Sequence, residues 1–100
     1  MRLRTRAKIC GITRIEDGIA AAMAGADAIG FVFWQGSPRR VDVARARSIV
    51  DAMPPFVSCV GLFVDPTEEY VRSVRDHVAL AMLQFHGAEP PEFCRAFGIP

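Results

Sequence analysis

Long hydrophobic runs are missing from this sequence, although 51% of its 100 residues are hydrophobic. No run approaches the roughly 18 residues that a membrane-spanning helix needs, and no apolar segment of signal-peptide type follows the basic residues near the start. An excess of one charge is missing too, because 12 basic and 11 acidic residues leave a formal net charge of +1. We therefore expect neither a membrane nor a nucleic acid as a partner.

Cysteine is scarce, and its three residues, Cys10, Cys59 and Cys94, are an odd number. They show neither C-x-x-C nor zinc-ligand spacing, which argues against a disulfide framework and against a metal site. This usage is typical of the reducing cytoplasm, so we expect a cytoplasmic location. A thiol redox role is disfavoured, because no resolving cysteine lies near Cys10 in the sequence. Phosphate-binding glycine motifs are missing as well, since neither G-x-G-x-x-G nor a P-loop follows any apolar run.

What the chain does contain is one unit used four times: a short apolar run, a loop with Gly, Pro or Asp, and then a helical pattern. The apolar runs span 7–10, 28–33, 57–64 and 80–85. Strands that are apolar on both faces and alternate with helices indicate an α/β fold with a parallel sheet covered by helices. Four such units fit either an open doubly wound sheet or half of an eight-stranded barrel, and periodicity does not choose between the two.

No linker or low-complexity segment interrupts these units, so we predict a single domain over 1–100. The basic residues Arg2, Arg4, Arg6 and Lys8 lie near its start without an aromatic or amphipathic pattern. We interpret 1–6 as a short basic arm in contact with solvent.

The first helix is predicted from a capping pattern and from apolar periodicity. Thr13 with Glu16 forms a capping box, so the helix is expected to begin there. Ile15, Ile19 and Met23 recur at intervals of four and give this helix one apolar face.

Aspartates predict the starts of two later helices. Asp42 is the expected N-cap of the second helix. Asp65, followed by Pro66 at the first helical position, is expected to start the third. A last helix is expected over 90–97.

Four loops follow the carboxyl ends of the predicted strands, and a parallel sheet brings such loops to one rim. They would gather groups that could move a proton on an anionic substrate: Cys10, Arg39, Arg40, Asp65 and His86. Cys10 is either a general base, if its pKa is lowered, or an inert thiol that ends the strand. Arg39 is either a ligand of a substrate carboxylate or phosphate, or a solvated residue. Spacing alone favours a helix cap for Asp65 and a hydrogen-bonded strand end for His86.

Five segments match, in order, the motifs of one enzyme family. From Lys8 onward, nearly over its whole length, the chain resembles the phosphoribosylanthranilate isomerases. The matching segments read KICGIT, GADAIGFVF, SPR, VGLFV and LQFHG, at 8–13, 25–33, 37–39, 60–64 and 83–87. Their order and compatible spacing make the resemblance specific.

The resemblance implies a (β/α)8 barrel of the TIM type, of which 1–100 would be the N-terminal half with the first four β-α units. It implies an enzyme of tryptophan biosynthesis that performs an Amadori rearrangement on a small phosphorylated substrate, N-(5-phosphoribosyl)anthranilate, with no cofactor or metal. Cys10 would be the general base at ribose C2, and Arg39 the ligand of the anthranilate carboxylate. Gln84 and His86 would bind the substrate in the same pocket.

The same resemblance marks what the chain lacks. In the family, an aspartate near the end of a later strand protonates the furanose ring oxygen, and glycine-rich phosphate loops follow the last two strands. A barrel needs at least about 200 residues, so we expect this chain to be truncated and nearly inactive alone. The alternative is a non-catalytic half-barrel, whose open edge strands lead it to self-associate or to complement a C-terminal half on another chain.

Overall fold

The computed structural model describes residues 6–99, so the basic arm expected over 1–6 lies outside the described residues except for Arg6. No helix among these residues is both long and apolar enough to cross a membrane. Strands and helices alternate as expected, in the order β1 (Lys8–Ile9), α1 (Ile15–Met23), β2 (Ala28–Val32), α2 (Val43–Asp51), β3 (Ser58–Phe63), α3 (Glu68–His77), β4 (Met82–Phe85) and α4 (Pro91–Arg95).

The four strands form one parallel sheet whose spatial order is the order along the chain, β1-β2-β3-β4. Ala28 of β2 pairs with Lys8 of β1 on one side and with Ser58 of β3 on the other. Val60 of β3 pairs in turn with Met82 of β4. A doubly wound sheet reverses its strand order at one point, and this sheet does not. Each strand lies beside its successor, as in the wall of a barrel, and the barrel alternative is confirmed.

The core lies between the helices and the convex side of the sheet. Successive side chains of a strand point to opposite faces, and alternate residues of β2 and β3 are directed at the helices. Ile29, Phe31 and Phe63 are completely buried there. Burying each such side chain contributes about 1.5–3 kcal/mol. The helices α2 and α3 complete this core with Ala46, Ile49, Val71 and Val74.

A row of phenylalanines joins the later strands to the end of the chain. The ring centroids lie 5.4 Å apart for Phe33 and Phe63, 5.9 Å for Phe63 and Phe85, and 5.7 Å for Phe85 and Phe97. These spacings fall within the range of favourable aromatic pairs. Helix α4 has only five residues, fewer than expected, so its position depends on tertiary contacts such as these.

The other face of the sheet is concave. Across it, the ammonium of Lys8 on β1 donates a hydrogen bond to the side-chain oxygen of Gln84 on β4. Neighbouring strands lie about 4.8 Å apart, so a flat sheet would separate β1 from β4 by about 14 Å. The two side chains meet because the sheet curls, as the wall of a barrel must. Val32 and Val60, which alternate with core residues and therefore face the concave side, are also buried.

The first helix begins later than the sequence predicts. The capping box expected from Thr13 and Glu16 is wrong, because Arg14 is the N-cap residue and its side chain makes no capping hydrogen bond. The preceding loop is still bound to β2 as far as Ile12, whose N–H donates to the Gly30 carbonyl at 3.0 Å. Instead of completing a capping box, the Glu16 carboxylate accepts a hydrogen bond from the Glu16 backbone N–H and another from the Arg14 side chain. These two hydrogen bonds, the first more than the second, lower the pKa of Glu16.

The apolar face of α1 points away from the core. Ile15, Ile19 and Met23 are 38%, 40% and 84% exposed. The packed side is formed by small residues: Gly18 is buried, and a Cβ there would lie 3.0 Å from Ile49 Cγ2 of α2. Periodicity identified an apolar face but not the one that packs, because glycine and alanine carry little hydrophobic signal.

Only one of the two predicted aspartate caps is confirmed. Asp42 caps α2 by accepting a backbone N–H at 2.7 Å. The prediction for Asp65 is wrong, because Thr67 is the N-cap of α3 and its Oγ1 accepts from the Tyr70 N–H at 3.1 Å. The Asp65 carboxylate is engaged elsewhere, since it accepts the N–H of Ala88 from a neighbouring loop.

Replacing Ile49 with valine should lower the free energy of unfolding by about 1 kcal/mol, because a buried methylene is lost and a cavity remains. Ile19→Val removes the same group from the exposed face of α1 and should change it by less than about 0.5 kcal/mol. Urea unfolding followed by circular dichroism measures both. Equal losses would mean that the Ile19 face is buried, contrary to the packing of α1.

Candidate functional site

Cys10 directly follows β1, at the rim formed by the carboxyl ends of the strands. It is half-buried, whereas Cys59 is buried within β3, where desolvation raises the pKa of its thiol. A raised pKa keeps the Cys59 thiol protonated and unreactive, in agreement with a packing role. Cys94 is half-buried and lies on α4 rather than in a strand-to-helix loop. Cys10 is therefore the thiol that the fold presents at this rim.

Two glycines make room beside Cys10. A Cβ at Gly30 on β2 would lie only 3.1 Å from the Cys10 Sγ. Gly11 has a φ of +82°, which glycine adopts without strain, and its N–H donates to the Gly30 carbonyl at 3.0 Å. Because Gly30 alternates with the core residues Ile29 and Phe31, the thiol lies on the concave face of the sheet.

The Arg39 side chain, from the loop after β2, crosses Gly11. A Cβ at Gly11 would lie 2.6 Å from Arg39 Cδ and 3.3 Å from Arg39 Nη1. The loop is shaped by Ser37, whose Oγ accepts from the Arg39 N–H at 3.1 Å. Arg40 instead donates from its guanidinium to the Ser37 carbonyl at 3.2 Å. The structure thus brings Arg39 to the residue next to Cys10, while Arg40 stabilises the loop.

Gln84 faces the concave surface from β4 and is half-buried. Its side-chain oxygen accepts the hydrogen bond from Lys8. Lys8 precedes Cys10 by two residues, so both side chains leave the chain on the same face. The sequence interpretation grouped Lys8 with the basic residues of the N-terminus and missed this position. The two-residue spacing from Cys10 was the signal that could have revealed it.

His86 lies at the rim, but no described contact joins it to Cys10 or Arg39. Its backbone N–H donates to the Phe63 carbonyl at 2.8 Å and so extends the pairing of β3 with β4. The side chain is exposed, and within residues 6–99 its imidazole has no hydrogen-bond partner. The imidazole is therefore accessible to a ligand at this rim.

Two carboxylates tie the loop that carries His86 to the loop after β3. Glu89 accepts from the N–H groups of Gly87 and Asp65, each at 2.8 Å. Asp65 accepts in return from the Ala88 N–H at 2.8 Å. We call Asp65, Gly87, Ala88 and Glu89 the carboxylate clasp. It holds the two loops together at the rim.

The carboxylate clasp requires close packing and a strained backbone. A Cβ at Gly87 would lie 2.4 Å from Asp65 Oδ1 and 3.0 Å from the Asp65 backbone nitrogen. Asp65 itself has a φ of 45°, in a region that costs a residue with a side chain about 1–2 kcal/mol. The hydrogen bonds of the clasp offset this strain. Sequence reasoning missed Glu89, because a contact between two loops leaves no periodic signal.

The arrangement can hold an anion and accept a proton from it. A guanidinium binds a carboxylate through two parallel hydrogen bonds, and a thiolate next to it can act as a general base. The carboxylates of Asp65 and Glu89 already accept backbone N–H groups, so neither is directed at the Cys10 surface as an acid. Among residues 6–99, no three side chains of His, Cys, Asp or Glu converge as metal ligands do.

Comparison with known sequences identifies one enzyme family. The sequence model of one family, described as N-(5'-phosphoribosyl)anthranilate (PRA) isomerase, matches residues 7–100. The chain is 58% identical over 95 residues to the N-(5'-phosphoribosyl)anthranilate isomerase of Pseudomonas syringae and 52% identical to that of Nitrosospira multiformis. Each match covers 95% of this chain and 46% of the relative. The chain thus spans about half the length of the curated relatives that it matches.

Comparison with solved structures agrees. The phosphoribosyl anthranilate isomerase of Thermotoga maritima superposes with a TM-score of 0.92 at 44% identity, over 95% of this chain and 46% of that one. The Thermus thermophilus enzyme superposes with a TM-score of 0.90 at 47% sequence identity, over 94% of this chain and 47% of that one. A third structure, solved in complex with reduced 1-(o-carboxyphenylamino)-1-deoxyribulose 5-phosphate, gives 0.92 at 45% identity, over 96% and 50%. The described sheet and helices correspond to half of such a barrel.

Replacing Glu89 with alanine should lower the free energy of unfolding by about 1 kcal/mol, because two backbone N–H groups lose a charged acceptor that water only partly replaces. Amide hydrogen exchange at Gly87 and Asp65 should become faster. Glu92→Ala removes an exposed carboxylate of α4 that lies outside the clasp, and it should leave both amides unchanged. Unaltered exchange at Gly87 in the Glu89 variant would contradict the clasp.

Proposed function

The chain belongs to the N-(5'-phosphoribosyl)anthranilate isomerase family, and on that premise we propose that 1–100 forms the N-terminal half of a single (β/α)8 barrel that isomerises N-(5-phosphoribosyl)anthranilate in tryptophan biosynthesis. The observation that carries the proposal is the Arg39 side chain lying across Gly11, next to Cys10. An anchor for a carboxylate and a candidate base thus share one surface.

In the proposed reaction, the Arg39 guanidinium binds the anthranilate carboxylate through paired hydrogen bonds. Opening of the furanose ring leaves a protonated Schiff base between ribose C1 and the anthranilate nitrogen. The Cys10 thiolate takes the proton from C2. The C2–H electron pair forms a C1=C2 double bond, and the C=N electrons move to nitrogen. Tautomerisation then moves a proton from the C2 hydroxyl to C1 and yields 1-(2-carboxyphenylamino)-1-deoxyribulose 5-phosphate. The proton on Cys10 passes through solvent to the acid that opened the ring, so both groups are regenerated with no external oxidant, reductant or cofactor.

Gln84 and His86 bind the substrate in this proposal, because both belong to β4 or its rim loop and have groups directed at the open surface. The acid that protonates the ring oxygen is, as the family resemblance implies, an aspartate of a later strand. The carboxylates of Asp65 and Glu89 at this rim are held in the clasp. The phosphate site likewise belongs to the second half of the barrel. The 100 residues by themselves are therefore nearly inactive.

A chimaeric barrel tests the proposal. Residues 7–100 of this chain replace the matching segment of the Pseudomonas syringae isomerase, which supplies the second half. The chimaera should convert the substrate, and Cys10→Ala should lower kcat/KM by about 10²- to 10⁴-fold, as expected when a general base is removed. The 100-residue chain alone should show no turnover above the level of the Cys10→Ala chimaera.

Cys94→Ala is the matched control, because it removes a thiol from α4 and should leave kcat/KM unchanged. A Cys10→Ala chimaera as active as its parent would contradict the role of the thiol. Rapid turnover by the 100 residues alone, lost on Cys10→Ala, would show that no second half is needed.

A second candidate function is a non-catalytic half-barrel that associates with another copy or with a complementing C-terminal half. Ile15, Ile19 and Met23 form an exposed apolar face on α1, and Ile9 of β1 is 45% exposed. In the described sheet, β1 and β4 each pair with one neighbour. Open edges and exposed apolar faces favour association.

Sedimentation velocity over a range of concentrations tests this candidate. The 100-residue chain should form dimers or larger species as its concentration rises. Ile19→Glu should shift the distribution towards monomer, because it places a charge within the apolar face. Ala20→Glu adds the same charge at an exposed position outside that face and should not shift it. A monomer at every concentration would exclude self-association.

A further inference from the structure

One hydrogen bond spans the concave face from the first strand to the fourth, and it joins Lys8 to Gln84. We propose that Lys8 is a positioning residue of the candidate site: it orients the Gln84 amide so that the NH2 group is presented to the substrate. The inference rests on the proposed function, in which Gln84 binds the substrate.

The chemistry of lysine decides the orientation of the amide. An ammonium has three donors and no acceptor, whereas a glutamine amide has an acceptor oxygen and a donor NH2 group. Lys8 can bind only the Gln84 oxygen, so Nε2 points away from it. Within residues 6–99, no group accepts a hydrogen bond from Nε2. Two donors are therefore left for an acceptor on the ligand, such as a hydroxyl or carboxylate oxygen.

The position of the pair suits this role. Lys8 precedes Cys10 by two residues and Gln84 precedes His86 by two, so alternation places each pair on one face of the sheet. Lys8 and Gln84 thus lie one step below the rim that carries the thiol. Because Gln84 and Cys10 share the concave face, a ligand seated beside Cys10 and Arg39 would have the Gln84 amide on the same surface.

The lack of a carboxylate partner for Lys8 within residues 6–99 raises a competing explanation. Its partner is a neutral amide, and the ion pairs among residues 6–99 do not include it. An ammonium that is not neutralised could attract the anionic substrate directly, without Gln84. The two explanations differ in what happens when Gln84 has already been replaced. Replacing Lys8 then has no further effect on substrate binding if Lys8 acts by positioning Gln84, but it still weakens binding if Lys8 attracts the substrate directly.

A double-mutant cycle in the chimaeric barrel separates the two. Lys8→Met should raise KM about tenfold and change kcat by less than about twofold, because a hydrogen bond that binds the substrate is misplaced. Gln84→Leu should do the same. In the double variant KM should also rise about tenfold, rather than by the roughly hundredfold expected if the two effects were independent. Lys8→Arg keeps a donor for the amide oxygen and should stay within about threefold of the parent.

Calorimetric titration with reduced 1-(o-carboxyphenylamino)-1-deoxyribulose 5-phosphate gives the same cycle as Kd values, without turnover. Arg47→Met removes an exposed positive charge of α2, away from the concave face, and should change neither KM nor Kd. If Lys8→Met does not fold, as judged by circular dichroism, Lys8→Val, which also lacks a donor, takes its place in the cycle. The positioning role would be overturned if KM of the double variant rose about hundredfold, or if kcat of Lys8→Met fell by as large a factor as its KM rose.

The two proposals can fail separately. If Cys10→Ala abolishes activity while Lys8→Met keeps the parental KM and Kd, only the role of Lys8 is wrong. If Cys10→Ala keeps full activity, the proposed mechanism is wrong, and the Kd cycle still decides whether Lys8 acts through Gln84.

Discussion

Alternation of side chains along β2 and β3 is the constraint on which the rest of this structure depends. Ile29, Phe31 and Phe63 must face the helices, because their burial supplies much of the stability of so small a core. Placing them on the convex side sends every second residue to the concave side, including Gly30. A slip of one residue would exchange the two faces. Packing of the core thus decides which side chains can meet a substrate.

Missing side chains shape the rim as much as those that are present. The Arg39 side chain crosses Gly11 and the carboxylate clasp closes over Gly87, so that a Cβ would lie only 2.6 Å and 2.4 Å from the nearest atom. The Cys10 thiol lies against Gly30, where a Cβ would make a tight contact of 3.1 Å. Such close approaches bring groups from separate loops onto one surface. A glycine here acts through the space it leaves, and at position 11 also through its positive φ.

Local signals predicted the parts of the fold that depend on local energetics. The apolar runs located β2, β3 and β4 within a few residues, and Asp42 caps α2 because its carboxylate has no competing partner among residues 6–99. Thr13 and Asp65 failed as caps because tertiary hydrogen bonds hold their loops. For the candidate site, residue spacing left the roles of Cys10 and Arg39 undecided, and only the ordered family motifs indicated that they are site residues.

The sequence by itself determined the four β-α units and the family, because both are written in short patterns of apolar and motif residues. Only the tertiary structure decided that the strands lie in chain order, that Lys8 reaches Gln84, and that Glu89 joins two loops. It also decided that α1 packs through its small residues, leaving Ile19 exposed. These contacts join segments distant in the chain. They depend on the curl of the sheet and on the space between packed elements, which no local pattern encodes.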